Sequence, residues 1–217
     1  MSTPSTAPDR PGRELPAGLY DADPEALSRL RESLIGAAAA AGVLDIAYRT
    51  VETPVGRLLL AATGAGVVRV AFEREDHDRV LVSLAERVSP RILLAPGRLD
   101  PIARQVDDYF GGRRTVFDVP LDFRLSRGFR RGVLEHLRVI RYGTTESYAQ
   151  VALATGRPRA VRAVGTACAT NPLPVVVPCH RVVRSDGSTG SYIGGAEAKT
   201  ALLHLESTHK QLRDGGG

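Results

Sequence analysis

A thiol, an imidazole and a guanidinium stand side by side in Pro178-Cys179-His180-Arg181-Val182-Val183, directly after the proline-bracketed apolar run Pro174-Val175-Val176-Val177-Pro178. Cysteine attacks as the thiolate, and imidazole or cationic neighbours are what lower its pKa, so the segment could supply a nucleophile. Taken alone, the six residues are equally open to blander readings: chance neighbours, half of a metal site, or a small buried cysteine. The other cysteine is Cys168; with no C-x-x-C and no clustered histidines, no metal and no other cofactor is expected. No disulfide framework or basic-then-apolar leader is visible at Met1-Ser2-Thr3-Pro4, which points to a reducing, cytoplasmic compartment. The longest apolar run, Leu34 to Leu44, is broken by Gly36 and Gly42 and falls short of the roughly 20 residues of a membrane helix, so no membrane partner is expected.

The elements that must position this chemistry divide the 217 residues into two small domains. Residues 1–18, with four prolines and no apolar periodicity, read as a disordered tail. Asp23-Pro24-Glu25 opens a helix within an extension over 19–44, and its function is not readable. Residues 45–122 read as an α/β domain. It has an antiparallel meander over Ile46–Thr50, Arg57–Ala62 and Val67–Phe72, then helices over Asp78–Val88 and Pro101–Phe110, the latter capped by Asp100. Nothing in this half concentrates chemistry, and its expected role is supportive. The second domain spans 123–209, with 210–217 as a tail.

Charge separates the halves: residues 1–122 carry 15 Lys/Arg against 18 Asp/Glu, whereas residues 123–217 carry 14 against 6. The basic half is the candidate polyanion binder. Ser126 is placed to cap a helix bearing Phe129, Val133, Leu134 and Leu137. Ser147-x-x-Gln150 has capping-box spacing, giving a short helix over Tyr148–Thr155 that stops at Gly156. A second helix then starts at Pro158, with Ala160, Ala163, Val164, Ala167 and Cys168 on one apolar face and Arg159, Arg162 and Thr166 on another. The pair is a helix-turn-helix, and an ordinary helical hairpin with solvated arginines is the competing reading. In the last helix Glu206 sits at the edge of the buried stripe, where a carboxylate needs a partner, while His204 and His209 look outward.

Taken in order and spacing, Ser147-Tyr148, Val151-Ala152, Arg162-Ala163-Val164-Gly165, Asn171-Pro172, Pro178 to Val183, Tyr192 with Gly194-Gly195, and Lys199-x-x-Leu202-Leu203-x-x-Glu206 closely resemble the O6-alkylguanine-DNA alkyltransferases. The likeness is strong over residues 123–207 and looser over the meander. It implies a two-domain α/β architecture: a ribonuclease-H-like N-terminal domain and a mainly helical, winged helix-turn-helix C-terminal domain carrying the active-site cysteine. It also implies one irreversible transfer of an alkyl group from guanine O6 in double-stranded DNA to Cys179, with no cofactor, by a monomer.

By that resemblance His180 activates the thiol through a water, Glu206 polarises His180, and Asn171 orients the network. Cys179 and His180, adjacent in an extended segment, would point apart, and a bridging water removes the need for direct contact. The target base must leave the duplex to be reached. Arg162 matches the residue that fills its place, while Ala160, Ala163 and Gly165, with Arg159, suit a helix laid in the minor groove. Tyr148 would donate toward guanine N3, the carbonyls of Cys179 and Val182 would accept from the exocyclic amine, the Ile193 N–H would face O6, and Tyr192 with Pro174 would wall the pocket. Ile193 stands where some members have a small or hydroxylated residue, so only its backbone contact carries over. The rival class, a non-catalytic DNA-binding regulator, does not need the retained Cys179, His180, Asn171 and Glu206.

Overall fold

The computed structural model describes residues 23–42 and 44–214; the tail expected over 1–18 lies outside them. Helix α1 (Pro24–Ala40) begins where Asp23 accepts from the Glu25 N–H at 3.0 Å. Strands β1 (Ile46–Val51), β2 (Leu58–Thr63) and β3 (Gly66–Phe72) form the expected antiparallel meander. Leu58, Leu59, Leu60 and Ala61 of β2 are all fully buried because both sheet faces are covered. Leu59 and Ala61 pack with Val80 and Leu84 of α2 (His77–Arg87), while Leu58 and Leu60 face Ile102 and Val106 of α3 (Asp100–Phe110). A strand absent from the sequence reading, β4 (Ile92–Leu94), joins parallel to β1 and gives the order β3-β2-β1-β4. Three residues are too few to show period-two alternation.

The second half comprises α4 (Gly128–Leu137), β5 (Glu146–Ser147), α5 (Tyr148–Ala154), α6 (Val161–Ala169), β6 (Val182–Val183) and α7 (Ala196–Asp214). One hydrophobic core joins both halves, uniting Phe72 and Tyr109 with Leu134, Val164, Leu173 and Leu202. At roughly 2 kcal/mol for each fully buried Leu, this continuous core binds the sheet to the helices. Backbone bonds stitch the same seam, Val70 N–H donating to the Pro172 carbonyl at 2.8 Å.

Several expected boundaries move. Ser147 and Gln150 do form the capping box of α5. Ser126, however, is not the cap of α4: Arg127 occupies that position, the chain enters through Gly128 at φ 54°, and Ser126 Oγ is buried without a partner among the described residues. Asp100 lies inside α3 rather than capping it, and its carboxylate accepts from Arg49 on β1 at 2.7 Å. Helix α6 starts at Val161, not Pro158, because residues 157–160 close a turn, Ala160 N–H to Arg157 carbonyl at 2.8 Å, with proline at the position its fixed φ favours. Only Val164, Ala167 and Cys168 form the buried face of α6; Ala163 is exposed and Ala160 half-buried. Residues 210–214, expected as tail, continue α7, so His209 is not at a fraying end and its ring meets Tyr142.

Candidate active site

Cys179 opens a single 3-10 turn, Cys179–Arg181, and is 1% exposed. The segment is therefore not extended as expected: Arg181 N–H donates to the Pro178 carbonyl at 3.0 Å, and the Val182 N–H closes on the Cys179 carbonyl. Asn171, fully buried, holds the turn by donating its amide to the Val177 carbonyl at 2.8 Å and to Cys179 Sγ at 3.1 Å, while its oxygen accepts from the Leu173 N–H. Between them Val175 sits at φ 71°, a region a β-branched residue enters only under constraint. Burial pushes the Cys179 thiol up to about 11, against the opposing Asn171 hydrogen bond and the Lys199 charge. The resting sulfur is thus a thiol and needs a base. Cys168, buried in α6, is pushed up by the same cause and is a core residue.

The candidate base is next in the chain. His180 is fully buried, and its Nε2 lies 2.9 Å from Glu206 Oε1. Burial lowers the imidazole pKa despite the carboxylate beside it, so the ring is neutral at pH 7. A carboxylate only accepts, which places the proton on Nε2 and leaves Nδ1 with its lone pair. Nδ1 is buried and has no partner among the described residues.

Glu206 is more heavily engaged than the sequence indicated. Arg181 grips it through Nε to Oε2 and Nη2 to Oε1, both at 2.9 Å, Tyr109 donates its hydroxyl to Oε1 at 2.7 Å, and the Gly143 N–H donates to Oε2 at 3.0 Å. Burial alone would raise this carboxyl, but the His180 and Arg181 contacts hold it well below the usual carboxylate range. Gly143 is at φ 67°, and a Cβ there would press on the Glu206 carbonyl and the Lys210 side chain. The Arg181 guanidinium, expected as a cationic neighbour of the thiol, is buried on the Glu206 carboxylate instead, and Gly143 carries no sequence signal for its contact. Tyr109 had a readable signal: it ends the Ile102, Val106, Tyr109 stripe of α3, and a buried tyrosine hydroxyl needs a partner.

Of the remaining expected site residues, Tyr148 and Tyr192 lie near the thiol and the arginines lie on the outer surface. Tyr148 is half-buried at the head of α5; burial, then the nearby Cys168 and Cys179, raises its pKa, so its hydroxyl remains a donor. Gly190, at φ 64°, passes so close that a Cβ would lie 3.0 Å from that hydroxyl. Tyr192 stands edge-on to Phe72 and to the His180 ring, with centroids 6.3 Å apart for the latter. Pro174 is buried, and Ile193 lines a cleft of about 450 Å³ with Asn171, Pro172 and the Arg69–Glu75 pair. The Val182 carbonyl accepts from Lys199 Nζ at 2.6 Å, and the same ammonium binds the Thr189 carbonyl, tying β6 to the 184–190 loop. On the outer surface, Arg162, Arg159 and Ala163 are exposed and Gly165 half-buried; neither arginine forms an ion pair among the described residues. No helix among them is long and apolar enough to cross a membrane, and no cluster of three or more His, Cys, Asp or Glu could hold a metal.

Comparison with known proteins agrees with this geometry. Residues 46–123 match the 6-O-methylguanine DNA methyltransferase ribonuclease-like domain and residues 128–208 the DNA binding domain of the same family. The methylated-DNA--protein-cysteine methyltransferase of Mycobacterium bovis is 38% identical over 163 residues, covering 75% of this chain and 93% of that protein. The bifunctional transcriptional activator/DNA repair enzyme Ada of Escherichia coli is 36% identical, over 77% of this chain and 47% of its own length. The structure of Mycobacterium tuberculosis OGT in complex with DNA superposes with a TM-score of 0.64 at 37% identity, covering 75% and 94% of the two chains. With both halves matched and the thiol, imidazole and carboxylate assembled in one buried site, the chain belongs to the 6-O-methylguanine DNA methyltransferase family.

Proposed function

We propose that this protein repairs DNA by direct reversal, Cys179 accepting the alkyl group from O6-alkylguanine in double-stranded DNA. The observation that carries the reading is the buried His180–Glu206 pair directly after the buried Cys179, with Nδ1 of a neutral imidazole without a partner among the described residues and open to a proton. His180 takes the thiol proton through a bridging water. The sulfur forms a bond to the alkyl carbon as the carbon–O6 bond breaks, and its electron pair leaves with the base. Tyr148 donates toward guanine N3 as that charge develops, and the base ends by gaining one proton for the one the thiol lost. No cofactor enters the balance, and the thioether leaves Cys179 spent.

Arg162 and Ala163 are exposed on the recognition helix α6 and suit insertion into the minor groove, with Arg162 filling the space of the flipped nucleotide. Arg159, Ala160 and Gly165 belong to the same face. Pro174, Tyr192 and the Ile193 backbone wall the base pocket. The Cys179 and Val182 carbonyls, each already accepting one internal bond, have a second lone pair for the exocyclic amine. The protein acts as a monomer, and its two free cysteines suit a reducing cytoplasm with access to DNA.

Incubation with a duplex bearing one O6-methylguanine should add a single methyl to the peptide containing Cys179, read by mass spectrometry. Repaired DNA with unmodified Cys179 would overturn the reading. Arg162→Ala should slow transfer from duplex DNA by about 10- to 100-fold, since extrusion costs a few kcal/mol. Transfer from the free modified base should change little, and equal losses on the two substrates would remove the finger role.

A further inference from the structure

We propose that Tyr109, a residue of the ribonuclease-like half, is a positioning residue for alkyl transfer that sets how strongly Glu206 draws on His180. Its hydroxyl donates to Oε1 at 2.7 Å, the same oxygen that faces His180 Nε2 at 2.9 Å, and it lies 3.4 Å from Nε2 itself. The side chain is fully buried, its ring clamped by Phe110, Phe117 and Tyr142 at centroid distances of 5.2, 5.3 and 5.9 Å. Burial, then the Glu206 charge, keeps the phenol protonated throughout the working range, so it always donates. Each hydrogen bond received by Oε1 spreads its charge and weakens it as an acceptor for the imidazole proton. Tyr109 thereby limits how far Glu206 raises the basicity of His180, and it does so from α3, far from the cysteine segment in sequence. The first half of the molecule thus contributes a group to the relay rather than only a platform.

The inference rests on the reading of His180 as the base. The other groups facing the pair are Arg181 beside it in the turn, Lys199 on α7, Cys179, Tyr142 from the loop before β5, and the Tyr192 ring. All are retained in Tyr109→Phe, which removes one oxygen and keeps the ring. Single-turnover transfer from a methylated duplex, followed against pH, should show the acid-limb midpoint moved upward. Replacement of Tyr109 by 3-fluorotyrosine, a stronger donor of nearly the same size, should move the midpoint downward and serves if the phenylalanine variant does not fold. Phe117→Leu loosens the same ring contact without touching the hydroxyl and should lower the melting temperature with no change of midpoint. A wild-type midpoint in Tyr109→Phe or in the fluorinated protein would overturn the role. If His180→Ala also kept the wild-type pH profile, the base assignment itself would have failed, a result distinct from failure of Tyr109 alone.

Discussion

Glu206→Ala is expected to destabilise the protein by about 3–5 kcal/mol, because it leaves the Arg181 guanidinium buried without its anion. The two side chains are 7% and 1% exposed, and water cannot replace the lost partner without opening the core. The Ile140 carbonyl, 2.6 Å from Nη1, satisfies one Arg181 donor but not its charge. Against a total stability of roughly 5–15 kcal/mol this is a large share, and thermal melting should fall by about 10 °C or more. Replacing both partners, Arg181→Met with Glu206→Leu, should be far less damaging, since the cost lies in the orphaned charge rather than in the absence of the pair. The pH dependence has a definite sign. The folded carboxyl titrates below its ordinary value of 4.5, so its stabilisation is complete above that value and is lost as pH falls through the lower, folded value. Glu206→Gln should accordingly show a shallower loss of stability in acid. A melting temperature within a degree or two of wild type for Glu206→Ala would mean that Arg181 finds another anion.

What could be read from sequence was what is determined locally. The Ser147–Gln150 box, the glycine after α5 and the meander strands depend on neighbours a few residues away, and their elements fall within a residue or two of expectation. Helix starts failed where a nearby turn competed: the 157–160 turn uses Pro158, and Gly128 admits one more residue before α4. The pairing of His180 with Glu206 was accessible only through family likeness, since periodicity alone reads Glu206 as a routine surface glutamate of the last helix, whereas it is buried. The convergence of Tyr109, Gly143 and Arg181 on one carboxylate was not legible at all. Those residues lie in separate elements, and only the tertiary core, which joins the two halves, brings them within 3 Å. The N-terminal half looked chemically empty because its contribution is a single hydroxyl on an otherwise apolar helix stripe.

His180→Ala should slow methyl transfer at neutral pH by about 10²- to 10⁴-fold, the range spanned by a positioned general base. Burial displaces the two neighbouring groups in opposite directions: the thiol is raised to about 11 and the imidazole is lowered from 6.5. With the base present, the thiol need not ionise in advance, so the wild-type rate should be flat from neutral pH to about pH 9 and fall only as acid protonates Nδ1. Without it, transfer depends on the small thiolate fraction, and the logarithm of the rate should climb by about one per pH unit until the thiol titrates. Rapid-quench single-turnover assays across pH 5.5–10 would separate the two profiles, with circular dichroism establishing that the variant folds. A flat profile in His180→Ala would assign the proton to another acceptor, and the raised thiol would then have to be ionised by the substrate complex itself. The expected slope instead makes the buried, protonated cysteine a guarded nucleophile. On that reading the thiol resists stray electrophiles in the resting protein and loses its proton only where the proposed flipped base meets the imidazole.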